Sequence, residues 1–374
     1  MSTLALLLQR EIFKATLWTL GGFSALLTFF DLLDELKSIG QASLTQAGQF
    51  YKLSDIAIYL LLGLPSHAYT LLPICLLIGG VFVMARLAQH SEFTVLRMGG
   101  LGPTRALRAL LSVGLLLAAL TFVLGDYLVP TMEKQQALLK AQFSGSISTG
   151  RTGAWLRERK AQSTVSINVR ALSAGGQAEG LRIFEFDHNG TLRRELQARA
   201  ADVSKAEQWR LQDATVYDYP AANEAANNKR IAVQKHAHFN WPTTVNASMI
   251  SAELLKNNRM STLNLYQYVQ HLQANDQNAQ RFEIEFWRKV FYPLSCIVMV
   301  VLVLPFGYLH FRGGGIAGYV FLGVMTGISF YLLNNLFGFI GNLNGWVPWL
   351  AAASPSLLYS ALSLSAFGWM VARR

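Results

Sequence analysis

Residues 109–128 read ALLSVGLLLAALTFVLGDYL, with Asp126 as the only charge. A bilayer core takes ~20 mostly apolar residues as a helix. This stretch therefore reads as a membrane span, ended by Val129 and Pro130. Immediately after it the chain changes character. Residues 133–142 (EKQQALLKAQ) read as a polar helical extension of the span. From Ser163 short runs alternate apolar and polar residues: 163–169, 181–186, 192–200, 209–219, 230–233 and 236–241. Alternation with period two marks half-buried strands. The separators are turn formers: Gly175-Gly176, Asp187-His188-Asn189-Gly190 and residues 220–228. Asn189-Gly190 between two alternating runs is a hairpin signal. A span handing over to an all-β module of ~100 residues, a sandwich or jelly roll, sets the fold.

Working outward, Ala15–Leu33 reads as a retained first span, longer than a signal-peptide core and without a clear cleavage site. Leu4–Lys14, carrying Arg10 and Lys14 among leucines, reads as an amphipathic lead-in at the interface. Ala68–Leu87 is the second span. The apolar stretch Ile56–Leu64 before it is broken by Pro65, where a kink or helix-turn-helix is expected. Residues 261–280 are helical and polar, and spans follow at 291–308, 316–340 and 347–371. The expected architecture is an α-helical membrane protein of six transmembrane helices with an inserted all-β, jelly roll-like domain. Its parts are residues 1–142, 143–260 and 261–374.

Composition agrees. Of 374 residues 52% are apolar and 14% charged, and the polar ones concentrate in the middle. The net charge of +10 does not point to nucleic acid, because the arginines are not gathered on one face and some flank apolar helices. Loop two–three holds Arg86, Arg97, Arg105 and Arg108, loop four–five holds His310 and Arg312, and the tail ends in Arg373 and Arg374. The other side has Asp31, Asp34 and Glu35 against Lys37 and Lys52. The positive-inside rule then places both termini in the cytoplasm and the β module outside. Cys75 and Cys296 lie in apolar stretches and read as small hydrophobes.

Chemistry-bearing motifs are few. Gly313-Gly314-Gly315 has no following Gly-Lys-Ser or Gly-Lys-Thr element, so no phosphate loop is expected and the glycines read as a tight turn. His236 and His238 share a strand face, either as a metal pair or as a solvated surface. Residues 86–103, RLAQHSEFTVLRMGGLGP, form a short helix with an acid, Glu92, beside Phe93, Val95 and Leu96, broken at Gly99 and Gly100. Such a helix suits docking into a partner's groove, or is an ordinary interfacial loop. The charges at the outer end of the first span are interfacial anchors or headgroup contacts. In the fifth span Phe330, Asn334 and Phe337 fall on one face, and the asparagines should face protein or a cavity.

The order of parts resembles the LptF/LptG permeases of lipopolysaccharide export, nearer the LptG branch. The resemblance rests on DELKSIG (34–40), LAQHSEFTVLRMGG (87–100), GDYLVP (125–130), FWRKVFYPLS (286–295) and GISFYLLNNLFG (327–338), and loosely on Trp155 and QWRL (208–211). It implies a Gram-negative inner-membrane permease subunit without a cofactor of its own. Its partners would be an LptF-like permease, an LptB-like ATPase dimer that hydrolyses the ATP, and an LptC-like membrane-anchored periplasmic protein. Glu92, with Phe93, Leu96 and Arg97, would couple to the ATPase. The first and fifth spans would enclose a cavity that lipopolysaccharide enters laterally from the outer leaflet, passing on to a periplasmic jelly-roll bridge. Its contacts would be Phe30, Asp34, Lys37, Leu71, Lys140, Phe330, Tyr331, Asn334 and Phe337. Lys37 matches a basic position facing lipid A phosphates, and Lys140 lies near another. Asp31 and Ser38 stand where relatives carry lysines, and Asn334 where an acid occurs. Two other readings remain open on the residues alone: a different ABC-type permease coupled to a periplasmic domain, and a membrane-embedded lipid-modifying enzyme using Asp126, Asp34 and Glu35.

Overall fold

A computed structural model describes residues 3–41, 50–100, 102–144, 153–160, 163–172, 177–203, 208–220, 231–245, 249–250, 260–308 and 316–372. The expected turns at 175–176, 221–228 and 313–315, together with His310, Arg312, Arg373 and Arg374, lie outside these residues. Six described helical stretches are long and apolar enough to cross a membrane: Leu4–Ser38, Leu53–Gln89, Pro103–Lys140, Gln280–Tyr308, Ala317–Leu343 and Pro348–Gly368.

The helices are longer and less interrupted than the sequence suggested. Helix α1 (Thr3–Glu35) runs unbroken, so the lead-in 4–14 is continuous with the helix of the first span, and its Leu8 and Ile12 are fully buried. Helix α2 (Leu53–Gln89) passes through both Pro65 and Pro73, so there is no helix-turn-helix at Pro65. In lipid a broken helix would leave backbone groups unpaired, so the helix persists and side chains serve its carbonyls. The Tyr292 hydroxyl, for example, donates to Thr70 O at 2.6 Å, one turn before Pro73. Pro130 does not end the third span either. After α4 (Pro103–Val123) the chain widens into a π segment, Leu124–Leu128, and continues as α5 (Val129–Ser144). There the Val129 N–H reaches back to Leu124 O, and the wider turn accommodates the proline that follows. The described residues also form short α3 (Glu92–Met98), α6 (Thr262–Ala274), α7 (Gln280–Val303), α8 (Ile316–Leu343) and α9 (Pro348–Ala372).

The chain divides into two compact units. The first comprises Met1–Leu33, Gly63–Val129 and Glu283–Arg374. Its core joins Leu8 and Ile12 of α1, Leu76 and Met84 of α2, Leu110 and Leu117 of α4, Val300 of α7, Phe330 of α8 and Tyr359 of α9. Close helix approach depends on glycine. A Cβ on Gly79 would stand 2.7 Å from Thr16 N, and one on Gly114 would stand 2.8 Å from Val300 Cγ1. Small residues at helix crossings are the general means of packing within lipid.

The second unit comprises Asp34–Leu62 and Pro130–Phe282, so α5 and α6 belong with the β domain. Among the described residues its strands are β1 (Ala154–Arg159), β2 (Thr164–Leu172), β3 (Gln177–Phe186), β4 (Leu192–Asp202), β5 (Gln208–Asp218) and β6 (Ala232–Pro242). They form one antiparallel sheet in sequence order, a meander with β1 and β6 at its edges. Expected runs at 230–233 and 236–241 are one strand, and β1 was not foreseen. The β3–β4 hairpin turns through Asp187–Gly190, with Gly190 at φ 75° and the Asp187 carboxylate accepting from the N–H groups of Asn189 and Thr191, both at 2.9 Å. Trp209, fully buried, donates to Val245 O at 2.9 Å. The buried Glu158 accepts from Thr243 Oγ1 at 2.7 Å and Thr244 N at 2.9 Å, which ties β1 to the segment after β6. Helix α6 starts at the Ser261 cap, and its buried Tyr268 meets Phe282 edge-on at 4.8 Å.

Candidate functional site

Helix α3 is set off by conformational breakers at both ends. Ser91 adopts φ 57°, which stops α2 from running on, and Gly100 at φ 95° follows Met98. Phe93 is 2% exposed and sits edge-on to Tyr308 at 4.9 Å. A Cβ on Gly307 would lie 3.3 Å from both the Phe93 ring and Met84 Sδ, so ring and backbone are in contact. Leu96 is half-buried against the same core. Phe93 was expected to meet a partner; it is instead the bolt that holds α3 on its own unit. What α3 offers outward is Glu92, Val95 (61% exposed) and Met98 (78% exposed), at three-residue spacing along one face. Arg97 lies on the same helix. Met98 was not singled out from the sequence, although its spacing from Glu92 and Val95 was the signal.

The helices differ sharply in how much protein covers them. In the most apolar window of each, α2 is 72% buried, whereas α1 is 11% and α8 17%. Along α1 the open face carries Leu26, Phe29, Phe30 and Leu33. Along α8 it carries Ile328, Tyr331, Leu332, Leu336 and Phe339. This corrects the expected face. Phe330 is 3% exposed, edge-on to Tyr359 at 5.2 Å, while Ser329 Oγ lies 2.5 Å from the Tyr359 hydroxyl. Asn334 and Phe337 are half-buried, the latter beside Trp346. Asn335 Oδ1 accepts from Arg288 at 3.0 Å, so the amide is answered by a charge. Leu71 is half-buried on α2.

Several ionisable groups in the first unit are held across helices. Asp31 Oδ2 of α1 lies 2.7 Å from His67 Nε2 of α2. Lys289, 8% exposed, donates to Gly125 O at 3.4 Å, in the π segment where a Cβ on Gly125 would strike the Tyr69 ring at 2.3 Å. In the second unit Lys37 pairs with Asp34 at 2.8 Å, both more than three-quarters exposed, an i,i+3 contact of little strength in water. Lys140 is held differently. It pairs with Glu35, which is 4% exposed, and lies 5.2 Å over the Tyr59 ring. The Tyr51 hydroxyl also donates to Glu35 at 3.4 Å; burial, then the Glu35 charge, push the Tyr51 pKa up. The predicted contact residues thus fall in both units, with Asp34, Lys37 and Lys140 in the second and the others in the first. Among the described residues no three His, Cys, Asp or Glu side chains gather to hold a metal.

The family model described as lipopolysaccharide export system permease LptF/LptG matches residues 7–370. The chain belongs to the LptF/LptG permease family. Similar proteins include the lipopolysaccharide export system permease protein LptG of Haemophilus influenzae, 25% identical over 96% of this chain and 94% of that one. The LptG of Escherichia coli K12 is 25% identical over 98% of this chain and 96% of its own length. As an LptF/LptG permease the chain is a membrane transport component.

Proposed function

We propose that this chain is the LptG-like permease subunit of an ATP-driven lipopolysaccharide exporter in a Gram-negative inner membrane. The observation that carries the reading is the family match through residues 7–370, which takes in both membrane halves and the β domain at once. The chain has no phosphate-loop motif, so the energy comes from an LptB-like ATPase dimer on the cytoplasmic side, engaged by the Glu92–Val95–Met98 face of α3. An LptF-like permease covers part of α1 and α8 and encloses with them a cavity open to the periplasm. Acyl chains lie on the apolar faces of α1 and α8, which this chain leaves bare. A large amphiphile also needs a charged rim. Lys37 supplies it readily, because its solvent-exposed pairing with Asp34 is easily exchanged for a lipid A phosphate. The β domain lies in the periplasm, where it joins the handover to an LptC-like protein and its bridge.

The test is purification of the complex from membranes. The chain should bring down an ATPase and a second permease, and Glu92→Ala should lose ATPase binding or stimulation while the chain stays folded. Failure to associate with any ATPase, or unimpaired lipopolysaccharide release by Glu92→Ala, would overturn the reading.

A further inference from the structure

The first unit contains a pocket of about 600 Å³ between α1, α2 and the start of α8 that none of the roles above uses. Its lining is graded. At one end stand Glu11, Lys14 and Arg86; toward the other stand Trp18, Phe82 and Val320. The pairs Glu11–Arg86 (2.7 Å) and Asp31–His67 (2.7 Å) show that α1 and α2 run antiparallel, so equal steps inward from Glu11 and Arg86 stay level. From Glu11 to Trp18 is seven residues, ~10 Å along a helix. A polar mouth therefore gives way to an apolar floor over about the length of a glycerophosphate group and the first methylenes of a chain.

Among the described lining residues the charges at the mouth do not balance. Arg86 pairs with Glu11 Oε2 at 2.7 Å, whereas Lys14 is 4.0 Å from Oε1 of the same carboxylate and 53% exposed. Among the lining residues two cations face one anion, and Arg10 adds a further positive charge near Glu11, an excess that suits a phosphodiester. A purely apolar partner helix laid in the pocket would leave that charge uncompensated in lipid. Trp18, 83% exposed at the apolar end, offers its ring to the first methylenes of a chain. The pocket lies at the end of α2 that leads into α3, Arg86 preceding Glu92 by six residues, and at the opposite end of α1 from Asp31.

We propose that this pocket binds an anionic glycerophospholipid of the leaflet on the α3 side of the membrane, with Lys14 as its phosphate contact and Trp18 and Phe82 flanking its acyl chain. The occupant is a resident lipid, distinct from the exported one, and its head sits on the helix end that positions α3. The proposal does not depend on the export reading.

The test places the full complex in nanodiscs of equimolar phosphatidylglycerol and phosphatidylcholine with matched, diazirine-bearing acyl chains, followed by peptide mapping. Labelling around Trp18 should favour phosphatidylglycerol about fivefold, the order of preference one interfacial lysine provides. Lys14→Ala should bring the ratio to near one, and Lys14→Arg should restore it. The exposed Leu115 region of α4 is the internal reference and should label both lipids equally. Equal labelling at Trp18 in the unaltered chain, or a preference that survives Lys14→Ala, overturns the proposal. So does absence of label at Trp18 in the complex, which would mean that another protein fills the pocket.

Discussion

Replacing Phe93 by alanine should free α3 without unfolding the protein around it. Phe93 is 2% exposed and packs against Tyr308 and Gly307. Phe-to-Ala changes at such sites cost ~3–5 kcal/mol. Here the loss falls locally, because α3 has seven residues and its other inward side chain, Leu96, is only half-buried. Too short to persist alone, the helix would detach rather than drag the core with it. A local loss of ~3 kcal/mol raises the open population by about 100-fold. The amides to follow are Val95, bonded to Ser91 O at 3.2 Å, and Gly99, bonded to Val95 O at 2.9 Å. Hydrogen exchange of the 91–100 peptide should quicken by that order in Phe93→Ala, while peptides containing Leu110 and Val300 hold their protection. Phe93→Leu, which keeps most of the buried volume, should change exchange by less than tenfold. ATPase stimulation should fall in Phe93→Ala although Glu92 is intact. Exchange of 91–100 within twofold of the unaltered chain would refute the assignment of Phe93 as an anchor and return it to the partner-facing role.

Three further outcomes follow from particular contacts. Lys140→Ala leaves Glu35 buried with the Tyr51 hydroxyl still donating to it; since Lys140 is half-exposed, the expected cost is about 1–3 kcal/mol, and the double variant with Glu35→Gln should recover part of it in thermal unfolding. An unchanged Tm for Lys140→Ala would show that the pair does not hold α5 to the end of α1. On α8, Phe330→Ala should lower Tm as a core cavity does, whereas Phe339→Ala, 63% exposed, should leave Tm unchanged; the reverse order would mean the inward face is misassigned. His271 has a pKa lowered chiefly by burial, partly offset by the Glu158 charge. The unfolded chain therefore takes up the proton more readily than the folded one. The stability His271 contributes is complete above its unfolded pKa of ~6.5 and is lost as pH falls through the lower folded value. Denaturant melts of the β domain in the full chain at pH 7.5 and 5.5 should show this loss, and His271→Gln should reduce it.

Much of the fold was legible because its signals are local. Twenty-residue apolar blocks and two-residue alternation need no knowledge of the rest of the chain, so the six spans and strands β2 to β5 could be read directly. The errors came where the solvent changes the rules. Pro65 and Pro130 end helices in water, where freed backbone groups find other partners; in lipid they do not, and α2 and the α4–α5 run continue, at Pro130 by way of a π turn. Strand β1, AWLRER, hid its alternation because arginine and glutamate occupy three of its six positions, and Glu158 is buried by hydrogen bonds that the sequence cannot display. Pairs such as Asp31–His67 and Glu35–Lys140 join positions 36 and 105 residues apart, beyond any spacing rule.

The candidate site shows the same division at a finer level. Breakers around α3 announced a short helix, but periodicity assigns residues to a common face without saying which face turns inward. That is why Phe93 and Phe330 were placed outward and proved to be core. Hydropathy has a further blind spot in this protein: an apolar side chain serves equally against lipid, a partner helix or its own core. The contrast between α2 at 72% buried and α1 and α8 at 11% and 17% is therefore absent from the sequence and present only in the packing. A span already enclosed by its neighbours has little face left for substrate, so α2 is the least available; on the proposed reading, substitutions on the bare faces of α1 and α8 should impair transport before they impair folding.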